Sequence, residues 1–301
     1  MRKIQLFTAL IFLIGAIGYV IYQKLTENYD IGYRSDLKLN KYITVGLPKE
    51  LFFAEEKVPL DDPKTASRLS HELEIQTYQN PNMAQMIQRA NYWLPRIDSI
   101  LKKNKIPSDF KYLALVESNL INIESPMGAA GFWQLLPTTA TEMGLEINDE
   151  VDERYNALKA TKAACKYLQE GFKHLHNWTS VAASYNSGIS YLYNEHIRQR
   201  QKSVYKMRLN YQTDGYIYRI LAFKQLIEHQ KEYGYQIEDD PIWNVKKKEL
   251  KITTSVANLS VFIKNFNVSY YEMKVYNPWL KGNRLTISKK GKNYKLLIPA
   301  K

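Results

Sequence analysis

The 301-residue chain is 45% hydrophobic and 24% charged, enough for one substantial core plus a small second module, which excludes a chain dominated by disorder. Lysine and arginine exceed aspartate and glutamate by 42 to 30, and the net charge of +12 draws the protein toward polyanions: nucleic acid, anionic lipid or an acidic polymer. The basic residues are scattered apart from Lys246-Lys247-Lys248, with no basic stripe interleaved with aromatics, so nucleic acid is not the expected partner.

The first segment reads as a membrane address. Arg2 and Lys3 precede residues 4–22, nineteen residues without a charge, which carry Tyr19 and Tyr22 at the depth of a headgroup belt and are followed by Lys24. That length just spans a bilayer as a transmembrane helix, and the two basic residues place the chain beyond Lys24 outside the cytoplasm. The competing reading is a cleaved signal peptide, with Ala16 and Gly18 at the cleavage site. No cysteine lies nearby, so a lipoprotein modification there is excluded. Residues 25–80 are charged and mixed, with Pro48, Pro59 and Pro63 breaking any long element. They read as a tether, which could still contribute short strands or helices to the domain after it. Within it, His71-Glu72 begins like a zinc-protease motif, but Ile75 stands where the second histidine is required. The five histidines read as ordinary, and no metal or cofactor is expected.

From residue 81 to about 235 the periodicity is helical. Asn82 can cap a helix carrying Met83, Met86, Ile87, Ala90 and Leu94, and further helices are expected over residues 110–120, 137–143, 157–172, 178–185 and 215–229. Pro137 opens its helix and Gly144 closes it. Cys165 falls in step with Leu158, Thr161, Leu168 and Phe172 and reads as a buried small hydrophobe. As the only cysteine, it excludes an intramolecular disulfide and a cysteine-rich metal site. After Pro241 the pattern changes to strands over 250–255 and 294–299 with helices over 259–265 and 270–276 between them. The fold class is therefore mainly α, with a small α+β module over residues 245–301.

One carboxylate stands in a core-facing position. Phe110, Leu113, Ala114 and Glu117 share a helical stripe, and an ionised glutamate there must be paired, held neutral with a raised pKa, or set where the core opens into a cleft. The last two conditions describe a general acid; the bland alternative is a helix-end glutamate turned to solvent. Gly128 and Gly131 bracket a loop followed by Phe132-Trp133-Gln134, which lets backbone approach a ligand beside an aromatic wall and an amide. Ser125 precedes that loop. Trp178, Val181, Ala182 and Tyr185 share a face of a later helix, which Asn186-Ser187-Gly188 ends.

In order, Glu117-Ser118, then Ser125-Pro126-Met127-Gly128-Ala129-Ala130-Gly131-Phe132-Trp133-Gln134, then Ser184-Tyr185-Asn186-Ser187-Gly188 resemble the three signature motifs of soluble-type lytic transglycosylases. These belong to the goose-type lysozyme-like superfamily, glycoside hydrolase family 23. The resemblance spans residues 107–188 and continues less specifically through residues 216–222. It implies a lysozyme-like helical catalytic domain acting on the glycan strands of peptidoglycan. Glu117 would be the acid/base, Ser125 would contact the reacting sugar, and Gln134 would line the cleft. Tyr185 with Asn186 would support the carboxylate and substrate, and Gly128 and Gly131 would shape the cleft floor. Phe132-Trp133 stands where leucine-methionine is frequent and Ser184 where alanine is usual, which bears on subsite shape. Glu124, the nearest other carboxylate, reads as a solvated loop residue, and an ordinary glycosidase needs two. The nucleophile would then be the muramoyl C6 hydroxyl, giving a 1,6-anhydro end, with Leu113, Val116 and Trp133 desolvating Glu117.

The carboxy-terminal unit resembles a divergent LysM wall-binding module, with Ile263, Phe266, Tyr271 and Asn277-Pro278 in the places its core and turn would need; otherwise it is a cap on the helical domain. A lysozyme-like hydrolase and a non-catalytic wall-binding protein are the alternatives on this fold. Membrane attachment through the first helix would face the periplasm or cell wall, and partners in a wall-synthesis complex are unreadable from the residues.

Overall fold

Helical periodicity and capping side chains account for most of the architecture seen in the computed structural model, which describes residues 46–238, 245–288 and 291–300. The chain divides into Met1–Thr44 and Val45–Lys301, and the described residues all belong to the second unit. The expected membrane segment therefore lies outside the described residues, among which no helix is long and apolar enough to cross a membrane.

Helix α1 (Pro63–Glu74) starts where the Asp62 carboxylate accepts the Thr65 backbone N–H at 2.9 Å, with Pro63 in the first turn. Asn82 stands at the head of α2 (Met83–Lys103), but its side chain makes no capping hydrogen bond. A 3-10 turn, Ser108–Phe110, leads into α3 (Lys111–Ser118), and α4 (Pro137–Glu142) begins at its proline. Asn156 caps α5 (Ala157–Leu175), and Asn177 caps α6 (Trp178–Ser187). Helix α7 (Ile189–Gln199), unanticipated from the periodicity, follows α6 across Gly188. Asn210 caps α8 (Tyr211–Glu228), four residues earlier than the pattern suggested. The shared core contains Ile87, Ile97 and Leu101 of α2, Leu113 of α3, Leu168 of α5 and Leu221 of α8. Cys165 is buried there, and burial pushes its thiol up to about 12, as suits a packing group.

The stretch read as a tether is largely part of this core. Phe52–Phe53 (β1) and Glu56–Lys57 (β2) pair antiparallel around Ala54 and Glu55, both at positive φ, the backbone of a tight two-residue hairpin. Phe53, Val58, Leu69 and Leu73 are buried against the helices. Each such side chain contributes roughly 1.5–3 kcal/mol by leaving water, more than a solvated tether could forgo. Glu56 then reaches the head of α6, where its carboxylate accepts the Trp178 and Thr179 backbone N–H groups at 2.7 and 2.9 Å. An anion at a helix N-terminus satisfies free donors and complements the dipole.

Beyond the helices, β3 (Lys247–Ile252) and β4 (Tyr294–Pro299) form an antiparallel pair with Lys247 opposite Pro299 and Ile252 opposite Tyr294. Helices α9 (Leu259–Lys264) and α10 (Tyr270–Tyr276) lie between them in sequence, so the strand-helix-helix-strand order agrees with the pattern. Ile263 is fully buried in this module's own core, and Phe266 packs partly buried against it. Asn277 is also buried, and its amide bonds the Met273 and Leu297 carbonyls and accepts the Leu297 N–H, pinning the turn to β4. Tyr271 differs from expectation: it is 77% exposed, and Met273 of the same helix takes the core position.

Candidate active site

Three separated motifs converge through side-chain bonds to two carbonyls. Ser118, at the end of α3, donates to the Phe132 carbonyl at 3.0 Å, and the Tyr185 hydroxyl on α6 donates to the Trp133 carbonyl at 2.8 Å. The loop over residues 125–135 is thus held from both sides, close to the helix that carries Glu117. Ser125 closes it internally, its Oγ accepting the Ala129 N–H at 3.0 Å. Gln134, at φ +43, turns its amide inward and donates to the Ile123 and Gly131 carbonyls. Ser125 and Gln134 therefore shape the loop in this state, with their polar groups already engaged.

Phe132 and Trp133, expected as an aromatic wall beside a ligand, belong instead to the core. Trp133 is 0% exposed, and its indole N–H donates to Thr161 at 2.9 Å. A large ring flanked by two tightly held carbonyls packs inward because the helices α5 and α6 offer an apolar socket and one hydroxyl partner. Gly131 is fixed by close approach: a Cβ there would stand 2.0 Å from the Arg154 carbonyl oxygen. Gly128, at φ +78, has open space around its α-carbon.

Glu117 is partly buried at the C-terminal end of α3, and burial is the largest influence on it, raising its carboxyl to about 7. Two groups act in the opposite direction. The Tyr216 hydroxyl donates to Glu117 Oε1 at 2.5 Å, and the Arg219 charge lies near enough to favour the ionised form. Both come from α8. Tyr216 is itself buried, and its hydroxyl is pushed well above its ordinary value by that burial and by the neighbouring carboxylate, so it stays a donor. Tyr185 is near enough for the Glu117 charge to help raise its hydroxyl, after burial. It donates that hydroxyl to the Trp133 carbonyl, while Tyr216 makes the direct bond to the carboxylate. The weaker continuation of the family resemblance through residues 216–222 was the signal in the sequence that could have pointed to Tyr216.

Tyr216 and Arg219 open onto a cleft of about 570 Å³ between α1 and α8, also lined by Arg68, Glu72 and Asn186. Asn186, exposed at the end of α6, accepts from the Thr213 hydroxyl at 3.2 Å. Glu72 is a second carboxylate in the cleft, missed because it sits in the supposed tether. It pairs with Arg219 at 3.5 Å, and Asp214 pairs with Arg68. Glu124 is exposed in its loop and accepts from the Tyr155 hydroxyl at 3.1 Å.

Residues 97–207 match the transglycosylase SLT domain family, and residues 248–301 match the soluble lytic transglycosylase C-terminal LysM-like domain family. The stretch over residues 97–207 is thus similar to a transglycosylase SLT domain. All three converging motifs lie inside it, whereas Tyr216, Arg219 and Glu72 lie outside the matched residues. Similar curated proteins include membrane-bound lytic murein transglycosylase D of Escherichia coli strain K12 and of E. coli O6:H1. Each is 26% identical over 217 residues, 70% of this chain and 46% of the relative. The match spans about half the length of those relatives.

Proposed function

We propose that the chain is a lytic transglycosylase that cleaves the β-1,4 bond between N-acetylmuramic acid and N-acetylglucosamine in peptidoglycan without water. The observation that carries this reading is Glu117, held near pKa 7 by burial and hydrogen-bonded by Tyr216, which itself lines an open cleft. A carboxyl of that kind begins protonated near neutral pH and is ionised at little cost once its proton has left. Glu117 donates its proton to the glycosidic oxygen as the C1–O bond breaks, with the 2-acetamido group assisting. It then takes the proton of the muramoyl C6 hydroxyl as that oxygen bonds C1, closing a 1,6-anhydro ring and returning the carboxyl to its starting state. The SLT and LysM-like matches and the murein transglycosylase relatives support the substrate class.

Glu72 gives the hydrolytic alternative a specific footing, because a water-using glycosidase requires a second carboxylate. Its pairing with Arg219 argues against a free base or nucleophile. Incubating the purified chain with isolated sacculi and weighing the released muropeptides separates the two. Anhydro ends are expected; ends one water heavier would establish hydrolysis and set this reading aside.

Tyr216→Phe removes the hydroxyl that steadies the Glu117 carboxylate after proton delivery. A hydrogen bond to a charged group contributes about 1.5–3 kcal/mol, so turnover should fall by roughly ten- to hundredfold. The loss of a donor that favours the ionised form should also move the basic limb of the pH profile upward. A variant with unaltered rate and pH profile would remove Tyr216 from the chemistry.

Residues 4–22 are proposed as the anchor that keeps the enzyme on the outer side of the membrane, facing the periplasm or wall; the relatives' name, membrane-bound, supports this. Retention of the full chain in membranes through an alkaline carbonate wash tests it against release by signal cleavage.

A further inference from the structure

The segment over residues 145–156 touches the C-terminal module on one side and the site loop on the other. We propose that it couples the two: docking of the module holds Arg154 as a positioning residue for the loop over residues 125–135. The module is then a brace for that loop, in addition to any wall binding.

On the module side, Val151 is 0% exposed and forms part of the module's own core with Leu280 and Tyr294. Backbone pairing extends the seam, with Asp152 N–H donating to the Trp279 carbonyl at 2.8 Å and Lys281 N–H to the Glu150 carbonyl at 2.9 Å. Two carboxylates latch it. Glu150 accepts the Thr286 N–H at 2.7 Å and pairs with Arg284 at 2.6 Å, while Glu146 takes Lys292 at 2.7 Å and the Tyr294 hydroxyl at 3.0 Å. A flexibly tethered module would make no such seam.

On the site side, Arg154 does the holding. Its Nη1 donates to the Gly128 carbonyl at 2.6 Å and the Leu135 carbonyl at 3.1 Å, one at each end of the loop's turn. The guanidinium is kept in place by Asp152, with Nη2 to Oδ2 at 2.7 Å and both side chains only 5% exposed. A planar fork bound on several edges has one orientation, and a buried pair of this kind is costly to break. The Arg154 carbonyl also faces Gly131 at a distance that no side chain would tolerate. The same residue pair thus carries both seams: Asp152 bonds the module through its backbone and orients Arg154 through its carboxylate.

Amide hydrogen exchange on the full chain tests this without reference to catalysis. The probes are Ala129, Ala130 and Gly131, whose N–H groups bond Ser125, Leu135 and Ile123 inside the loop. Val151→Asp places an unpaired carboxylate in the module core and should release the module, seen as lost protection at Asp152 and Lys281, whose N–H groups bond across the seam. The loop amides should then exchange at least tenfold faster while α2 and α5 keep their protection. Arg154→Met should free the loop with the module still docked, and Arg154→Lys should restore part of the protection. Release of the module with loop exchange unchanged would overturn the proposal, as would an Arg154→Met variant with a fully protected loop. Should Val151→Asp fail to fold, Glu150→Ala loosens the same seam from its exposed edge and is read identically. A second readout rests on the proposed activity: on a soluble glycan fragment too short to reach the module, these variants should raise KM more than they lower kcat. If no variant and no parent cleaves glycan, the activity fails while the exchange result still decides the coupling.

Discussion

Glu117→Gln should abolish cleavage of isolated sacculi, with a loss of several orders of magnitude, because it removes the one group proposed to give and take the proton; general acid–base catalysis by a positioned side chain alone contributes about 10²–10⁴-fold. Glutamine keeps the shape and leaves an oxygen for the Tyr216 hydroxyl, which donates at 2.5 Å. Folding should therefore survive. It should in fact improve in a definite pH window. The folded-state pKa of about 7 lies above the ordinary value of 4.5, so between these values the folded chain holds a proton that the unfolded chain has lost. Stability in the parent accordingly declines as pH rises from 4.5 and levels off above about 7, a total of roughly 3 kcal/mol at most. The glutamine variant lacks this decline. Urea unfolding at pH 4.5 and pH 8 should show the variant gaining on the parent at the higher pH, and parental activity should fall on the basic side with a midpoint near 7. Unchanged clearing of sacculi by the variant would remove Glu117 from its proposed role and favour the non-catalytic reading of the fold. Equal stability of the two chains at both pH values would show that burial does not hold the carboxyl protonated.

The parts of this structure legible in sequence are those governed by local period and by short ordered motifs. The stripe of Phe110, Leu113 and Ala114 placed Glu117 at a core-facing position on α3, where it lies partly buried, and the module's two strands and two helices followed from alternation and helical spacing. What escaped was long-range. Nothing near Glu56 in sequence reveals that its carboxylate meets backbone N–H groups more than 120 residues away at the head of α6. Charge and prolines made residues 46–80 resemble a tether, yet Phe53, Leu69 and Leu73 are placed to be buried once β1 and β2 close their turn. Trp133 was misread for a related reason. A glycine-rich loop beside a tryptophan suggests a ligand wall, but which way the ring turns depends on Thr161 of α5 and the packing around it. Tyr216 and Glu72 are the clearest omissions, since they approach the site from elements on either side of the motif-bearing stretch, brought together only by the packing of α1 against α8.

Gly131→Ala should be the most damaging of the small substitutions in the loop over residues 125–135, and Gly128→Ala shows why. Both glycines have left-handed backbone, at φ +76 and +78, so an alanine at either carries the same local conformational penalty of about 1–2 kcal/mol. Their surroundings differ. At Gly128 an added Cβ meets nothing within 4 Å, whereas at Gly131 it would stand 2.0 Å from the Arg154 oxygen and 2.7 Å from its carbonyl carbon. Those are backbone atoms with no rotamer to escape into, so either the loop or residues 152–155 must move. Moving the second breaks the Asp152–Arg154 pair from its carbonyl partners at Gly128 and Leu135; moving the first withdraws the carbonyls that Ser118 and Tyr185 hold. The expected cost is about 4 kcal/mol or more for Gly131→Ala, in the range of core strain and broken buried networks. For Gly128→Ala it is about 1–2 kcal/mol, the local backbone penalty alone, measured for both by urea unfolding. Because the strained backbone is common to the two, their difference isolates the close approach between the loop and Arg154. Comparable losses in the two variants would mean that this approach is not what fixes the loop, and that the brace argued from Arg154 does not act through it.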